Sequence, residues 1–452
     1  MDFGRSDDPR VQAQLDRLSA LSVPQGRLGL ETITALMERL GNPHRKLPPV
    51  FHVAGTNGKG STCAFLRAML EAEGYRVHVT TSPHLVRYNE RIRLAGRLIE
   101  NGPLAELLEE VLDAGEDLGP SFFEVTIAAA FLAFSRTPAD ACVVEVGMGG
   151  RFDATNVLEP EVLAACGIAA LGLDHERFLL APEEGVPTEP MARIAFEKAG
   201  IAKKGVPLVT FDYDGDEAAH SINLVARQQG AHLFARDTGE WPWSISHYGS
   251  DTITYSDYRG PNGSRFRCEF PAPSLKGRHQ AENAGLAIAM LRHQDRVTVT
   301  EAGIARGLTE ASWPARLQRL SPGPLTGSRE VWLDGGHNPS AAHELWMFMV
   351  EHVVIPAMKP FHLIIGMLES KNASAFLNRE DQMFSEILAS VTVVPVPNHD
   401  SHPASAFGPD AVERTDLEEA MLNLPDDGYA VLIAGSLYLA GEALRLNDEV
   451  PD

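Results

Sequence analysis

A lysine set among glycines at the start of a helix can cradle phosphate, and the stretch Ala54-Gly55-Thr56-Asn57-Gly58-Lys59-Gly60-Ser61-Thr62 has that composition. The apolar run 50–54 before it reads as a strand, and Cys63, Leu66, Met69 and Leu70 after it recur at helical spacing until Gly74. Glycines let the backbone curl so that its N–H groups, backed by a helix N-terminus, face phosphate oxygens. Asn57, Gly58, Lys59, Gly60 and Ser61 are therefore the candidate ATP contacts. Lys59 is expected on the outer phosphates, with Ser61 or Thr62 near a metal. The common phosphate loop sets four residues between its first glycine and Gly-Lys, with a hydroxyl residue directly after the lysine. Here only Thr56 and Asn57 separate the glycines, and Gly60 follows Lys59. The plainer reading is a glycine-rich turn with a solvated lysine; the strand and helix on either side favour phosphate.

Glu145 is the second residue that could do chemistry. It interrupts the apolar run 142–146, where a carboxylate is costly unless it is paired or holds a cation. Magnesium takes oxygen ligands and keeps several waters, so few protein ligands suffice. The alternative is a structural ion pair, with Arg151 as the nearest candidate in sequence.

Elements that alternate strand and helix must position these groups. Besides 50–54, strands are expected at 77–80, 142–147, 162–168 and 206–210, with helices at 124–135 and 190–199. Between Trp241 and Phe270, Ile253, Tyr255, Phe266, Cys268 and Phe270 alternate with polar residues around Pro261, Asn262 and Gly263, which predicts a small antiparallel hairpin. Helices are expected at 279–292 and 298–307, followed by a break at 321–324 where a domain boundary is placed nearby. The alternation restarts with strands at 330–333, 361–365, 391–396 and 429–434. The expected fold is thus α/β: a P-loop-type parallel-sheet ATPase domain with a small antiparallel sub-sheet over 1–311, and a smaller Rossmann-like α/β domain over 312–452. A cleft between two such domains is where chemistry is expected.

Composition narrows the function. The formal net charge of −22 argues against broad nucleic-acid binding. Cys63, Cys142, Cys166 and Cys268 stand singly, signalling neither a zinc site nor a disulfide framework. The polar residues 1–10 lack the pattern of a signal peptide, and no uninterrupted apolar stretch is long enough for a membrane span. A cytoplasmic location is expected.

The loop 55–62, read with 36–44 (LMERLGNPH), 81–92 (TSPHLVRYNERI), 145–156 (EVGMGGRFDATN), 197–201 (EKAGI), 313–318 (WPARLQ) and 334–339 (DGGHNP), resembles the folylpolyglutamate synthase and dihydrofolate synthase family of the Mur ligase superfamily. These segments span nearly the whole chain. The resemblance implies an ATP- and Mg2+-dependent ligase that turns a folate-precursor carboxylate into an acyl phosphate and joins it to L-glutamate. Its acceptor would be dihydropteroate or a reduced folate. It implies Ser82, Glu145 and His175 as magnesium ligands, and Lys198 as an N6-carboxylysine beside them. For His175 the plainer reading is a surface-loop histidine, and for Lys198 an unmodified lysine at a helix C-terminus. Asn283, Arg316 and Asp334 match the family's other ATP contacts, and His337 follows as a catalytic residue with Lys59 and Lys198.

The family's pterin pocket matches Ser121, Phe122, Phe123, Glu124, Phe152, Asp153 and Ala154, under a mobile loop at 82–91. The phenylalanines could stack on a planar ring or simply pack the core, and Asp153 could meet the pterin amide edge. The segment between His175 and Lys198 is longer than the family pattern, with 181–186 (APEEGV) expected to bulge at the surface. Gly336 stands where the family usually has alanine. Ser370 and Asn372 stand on either side of Lys371 where the family usually has acidic residues. The expected partners are ATP, L-glutamate and the pteroyl acceptor, with no nucleic acid or membrane, for a monomer whose cleft lies within one chain. The competing readings are a peptidoglycan-precursor ligase, which usually carries a further N-terminal domain, and a nucleotide-binding homologue without catalysis.

Overall fold

The run Val50–Ala54 (β1) is buried at every residue, the pattern of a parallel strand covered on both faces. Val50 and Ala54 point into one apolar cluster, Phe51 and Val53 into the other. The computed structural model describes residues 4–21, 29–213, 216–238, 242–247, 251–259, 264–377 and 387–452. Val77–Thr80 (β2), Ile92–Leu94 (β3), Arg97–Leu98 (β4), Ala141–Glu145 (β5), Leu163–Ile168 (β6), Pro207–Thr210 (β7) and His232–Ala235 (β8) complete an eight-stranded sheet. Its order is β4-β3-β2-β5-β1-β6-β7-β8. The β2–β3 and β3–β4 pairs are antiparallel and the rest parallel. Helices Lys59–Glu73 and Arg278–Arg292 pack on one face, and Phe122–Arg136 and Pro190–Ala199 on the other.

Trp243–His247 (β9), Thr252–Arg259 (β10) and Ser264–Pro271 (β11) form a separate antiparallel sheet in the order β11-β10-β9. The expected hairpin therefore gains a third strand, while its turn at Pro261, Asn262 and Gly263, like Trp241, lies outside the described residues. Gln318–Arg319 (β12), Val331–Leu333 (β13), Phe361–Ile365 (β14), Leu388–Val393 (β15), Val412–Glu413 (β16) and Ala430–Ala434 (β17) form a second large sheet, ordered β12-β13-β17-β14-β15-β16 and antiparallel only at β12–β13. The expected mixed α/β class is the one found.

Several boundaries differ for physical reasons. Helix Glu301–Glu310 starts later than the expected 298–307 because Thr300 caps it, accepting the Gly303 N–H. Segment 321–324 lies between β12 and β13, two strands of one sheet, so it does not separate two sheets. Strand β5 stops at Glu145, and the glycine-rich loop after it packs against neighbours too close for side chains: a Cβ on Gly150 would come within 2.8 Å of the Glu197 carbonyl. Among the described residues no helix is long and apolar enough to cross a membrane.

Candidate active site

The C-terminal ends of the central strands carry the loops that face a cavity of about 920 Å³, as open α/β sheets place their sites. Gly58 caps helix Lys59–Glu73 with φ +81°. A Cβ there would lie 2.3 Å from Asn283 Oδ1, so glycine alone lets the loop meet that amide. Lys59 arches over its own loop and donates to the carbonyls of Gly55 (3.0 Å) and Thr56 (3.3 Å). Asn57, Gly60, Ser61 and Asn283 line the same cavity.

Register places the first carboxylate beside this loop: Glu145 on β5 sits opposite Val53 on β1. Burial pushes its pKa up against the pull of Lys59, and one oxygen accepts the Ser82 N–H at 3.1 Å. The alternative pair with Arg151 is absent, because Arg151 binds Glu183 and Glu197 instead. Lys198 does not line the cavity. It lies beneath the phosphate loop, donates to Gly55 O at 3.0 Å, and is pushed down to about 7 by burial and by Lys59. His175 lines the cavity with φ +53° and is pushed down to about 4 by burial, so its imidazole is neutral at physiological pH. Among the described residues no three His, Cys, Asp or Glu side chains gather as a closed metal cage. One buried carboxylate with nearby hydroxyl and imidazole groups suits a largely hydrated Mg2+ and would not suit zinc.

The second sheet supplies the opposite wall. Asp334 accepts the N–H groups of Leu317 (2.8 Å) and Gly336 (2.7 Å), so its carboxylate ties the crossing segment to the turn holding His337. Arg316 lies between Ala315 and Leu317, both at positive φ, and its charge reaches Glu145. His337 Nδ1 lies 3.0 Å from Gly335 O, and its Nε2 lies 3.6 Å from Asp174 Oδ2.

Asp174, which the sequence did not mark, joins the two walls. It accepts from Lys371 Nζ at 2.5 Å and from the His175 N–H at 2.7 Å. Burial works against its ionised form, but the His337 contact, His175 and Lys371 outweigh it and hold the carboxyl well below the usual range. A second bridge pairs the Asn57 and Asn338 amides (2.8 and 3.3 Å). The departure at Asn372 also has a local cause, since its side chain accepts the Ala375 N–H and so caps helix Ala373–Leu377.

At the far end of the cavity, Ser121 and Glu124 form a capping box for helix Phe122–Arg136, each accepting the other's backbone N–H. Their polar atoms serve each other, which leaves the rings of Phe122 and Phe123 as the apolar surface. Gly147 admits Phe123, since a Cβ there would sit 2.4 Å from its ring. Asp153 is buried beside Ala154 and accepts from Met148 N (2.9 Å), Thr155 N (3.0 Å) and Thr155 Oγ1 (2.5 Å). Thr155 Oγ1 in turn lies 2.8 Å from Nε2 of His52 on β1. Phe152 lies under the Arg151 guanidinium at 4.2 Å. Segment 181–186 does not simply bulge: Glu183 anchors it to Arg151 and Arg193. Thr155, Arg151 and Glu183 lie within segments the sequence marked, but nothing there gave them these contacts, and His52 lies in no motif. A histidine inside an apolar strand was the one available signal.

No family model matches the chain. It is 30% identical over 448 residues to dihydrofolate synthetase of Saccharomyces cerevisiae, covering 93% of this chain and 98% of that protein. Dihydrofolate synthase/folylpolyglutamate synthase of Bacillus subtilis is 34% identical over 368 residues, covering 76% and 79%. The fold is similar to Escherichia coli FolC in complex with DHPP and ADP, with TM-score 0.80, 29% identity and 97% of each chain covered. It is also similar to a bifunctional folylpolyglutamate synthase/dihydrofolate synthase from Yersinia pestis complexed with AMPPNP and Mn ion, with TM-score 0.78, 28% identity, and 96% and 97% covered.

Proposed function

The chain belongs to the dihydrofolate synthase/folylpolyglutamate synthase family, and from that premise we propose how its own residues carry the reaction. It is an ATP-dependent ligase that joins L-glutamate to 7,8-dihydropteroate and to reduced folates. The observation that carries this reading is one cavity bringing the phosphate loop, Glu145 and an aromatic pocket against His337 and Lys371 of the second sheet.

Asn57 to Ser61 hold the phosphates, with Lys59 turning from its loop carbonyls to the outer phosphate and Arg316 adding a second cation. Asn283, set against Gly58 of that loop, binds the adenine. Ser82, Glu145 and His175 would hold Mg2+, which when bound would supply positive charge against the transferring phosphoryl group. Lys198, which lies beneath the phosphate loop, would brace that site as its carbamate.

Phe122, Phe123 and Phe152 receive the pterin, and Asp153, aimed by Thr155 and His52, binds its amide edge. The acceptor carboxylate oxygen attacks the γ-phosphorus and ADP leaves. The glutamate amine then attacks the acyl carbon, phosphate departs, and the amine gives up a proton. His337, with Asp174 and Lys371, lines the side from which the amine comes. Residues 1–311 carry the phosphate loop and the acceptor pocket, and 312–452 add Arg316 and Asp334 to the ATP site and bind glutamate. The protein works as a cytoplasmic monomer without nucleic acid.

The test is product mass. ATP, Mg2+, glutamate and dihydropteroate should yield an acceptor heavier by one glutamyl unit, and tetrahydrofolate in its place should yield an extended tail. Dihydropteroate recovered unchanged under these conditions, with bicarbonate present, would overturn the reading.

A further inference from the structure

Immediately after Asp174 and His175 a short helix, Glu176–Leu179, carries two apolar side chains in different surroundings. Leu179 is buried, and a Cβ on Gly149 would lie 3.0 Å from it, so it seats the helix against the glycine-rich loop after β5. Phe178 instead lines the cavity and remains 43% exposed, a large apolar ring facing water where an aromatic substrate in the cavity would cover it.

The segment is held firmly. Arg193 Nε donates to Leu179 O at 3.0 Å. Glu183 accepts from Arg151 Nη1 and Nη2 (3.1 and 2.5 Å) and from Arg193 Nη2 (2.8 Å). Both arginines also reach Glu197. This alternating cluster of two arginines and two glutamates is largely buried, and Arg151 also covers Phe152. Phe178 and Phe152 are therefore set by the same ion-paired frame.

We propose that Phe178 is a specificity-determining wall of the acceptor pocket, packing on the benzoyl arm of a pteroyl acceptor between the pterin at Phe152 and the carboxylate reacting near Glu145 and His175. Glu183 is its positioning residue, acting through Arg151 and Arg193. The proposal rests on the ligase reading above and adds a contact to it.

Steady-state kinetics with Phe178→Ala, Phe178→Trp and Glu183→Gln test it. Phe178→Ala should raise KM for dihydropteroate about tenfold while kcat and the KM for ATP stay within about twofold. Phe178→Trp, which restores a ring, should return the acceptor KM to near the wild-type value. Glu183→Gln should raise the acceptor KM in the same selective way. An acceptor KM within about twofold of wild type in Phe178→Ala overturns the proposal, as does a parallel rise in the KM for ATP. The wild-type protein separates the two readings: if it does not turn over dihydropteroate, the ligase reading fails and takes this inference with it, whereas normal turnover with an unchanged KM in Phe178→Ala sinks this inference alone.

Discussion

Burying an amine beside a second lysine favours its neutral form, and Lys198 is in that position, pushed down to about 7. Only a neutral amine adds CO2. The carbamate at Lys198 should therefore be scarce at roughly pH 6 and grow toward roughly pH 8 at fixed dissolved CO2. Intact-mass measurement under mild conditions should show the added mass of one CO2 over the sequence mass, absent in Lys198→Ala; a wild-type mass equal to that of its unmodified sequence would rule the modification out. His52 carries a different pH dependence. Burial depresses its folded pKa to about 3, below the unfolded value, so the unfolded chain takes up the proton first. Stability is therefore lost as pH falls from about 6.5 toward about 3, by roughly 1 kcal/mol per pH unit from this group. His52→Gln keeps an amide for Thr155 without titrating, and should flatten the acid-side slope of the unfolding free energy, read by denaturant titration at several pH values, by that amount. Glu145 stood out in the sequence because it is polar inside an apolar run, and Lys198 through the family resemblance, whereas His52 passed unmarked inside the strand 50–54. Asp174 and Glu183 did not stand out, because their partners Lys371 and Arg151 lie far away in sequence.

At the scale of elements, two glycines at the two ends of helix Lys59–Glu73 make a matched test. Both have positive φ, but a Cβ on Gly58 would strike Asn283 whereas one on Gly74 meets nothing within 4 Å. Alanine at either position should cost about 1 kcal/mol of backbone strain. Only Gly58→Ala should also raise the KM for ATP, by about tenfold or more, and an unchanged ATP KM in that variant would argue against the phosphate loop. Long buried elements were legible: β1, β2, β14 and helix Pro190–Ala199 fall where the pattern put them. Short edge strands such as β4 and β16 were not, since a two-residue strand has no periodicity to read. The start of helix Glu301–Glu310 and the capping role of Asn372 depend on single side-chain bonds that composition does not reveal.

Across the whole molecule, the two large sheets were legible as two runs of alternation, but the contacts joining their walls were not. The Lys371–Asp174 pair and the Asn57–Asn338 amides hold the cavity closed between them. Lys371→Met should loosen that closure and increase the radius of gyration by small-angle scattering in the absence of substrates, while an unchanged scattering curve would show that these bonds do not set the closed form. The central claim is that ATP activates the acceptor carboxylate in this cavity before glutamate attacks. The measurement that reaches it most directly is turnover of dihydropteroate carrying ¹⁸O in its carboxylate, with ATP, Mg2+ and L-glutamate. Transfer of one carboxylate oxygen into the released inorganic phosphate is the predicted result. Dihydrofolate formed with no label in the phosphate, or no dihydrofolate at all, would contradict it.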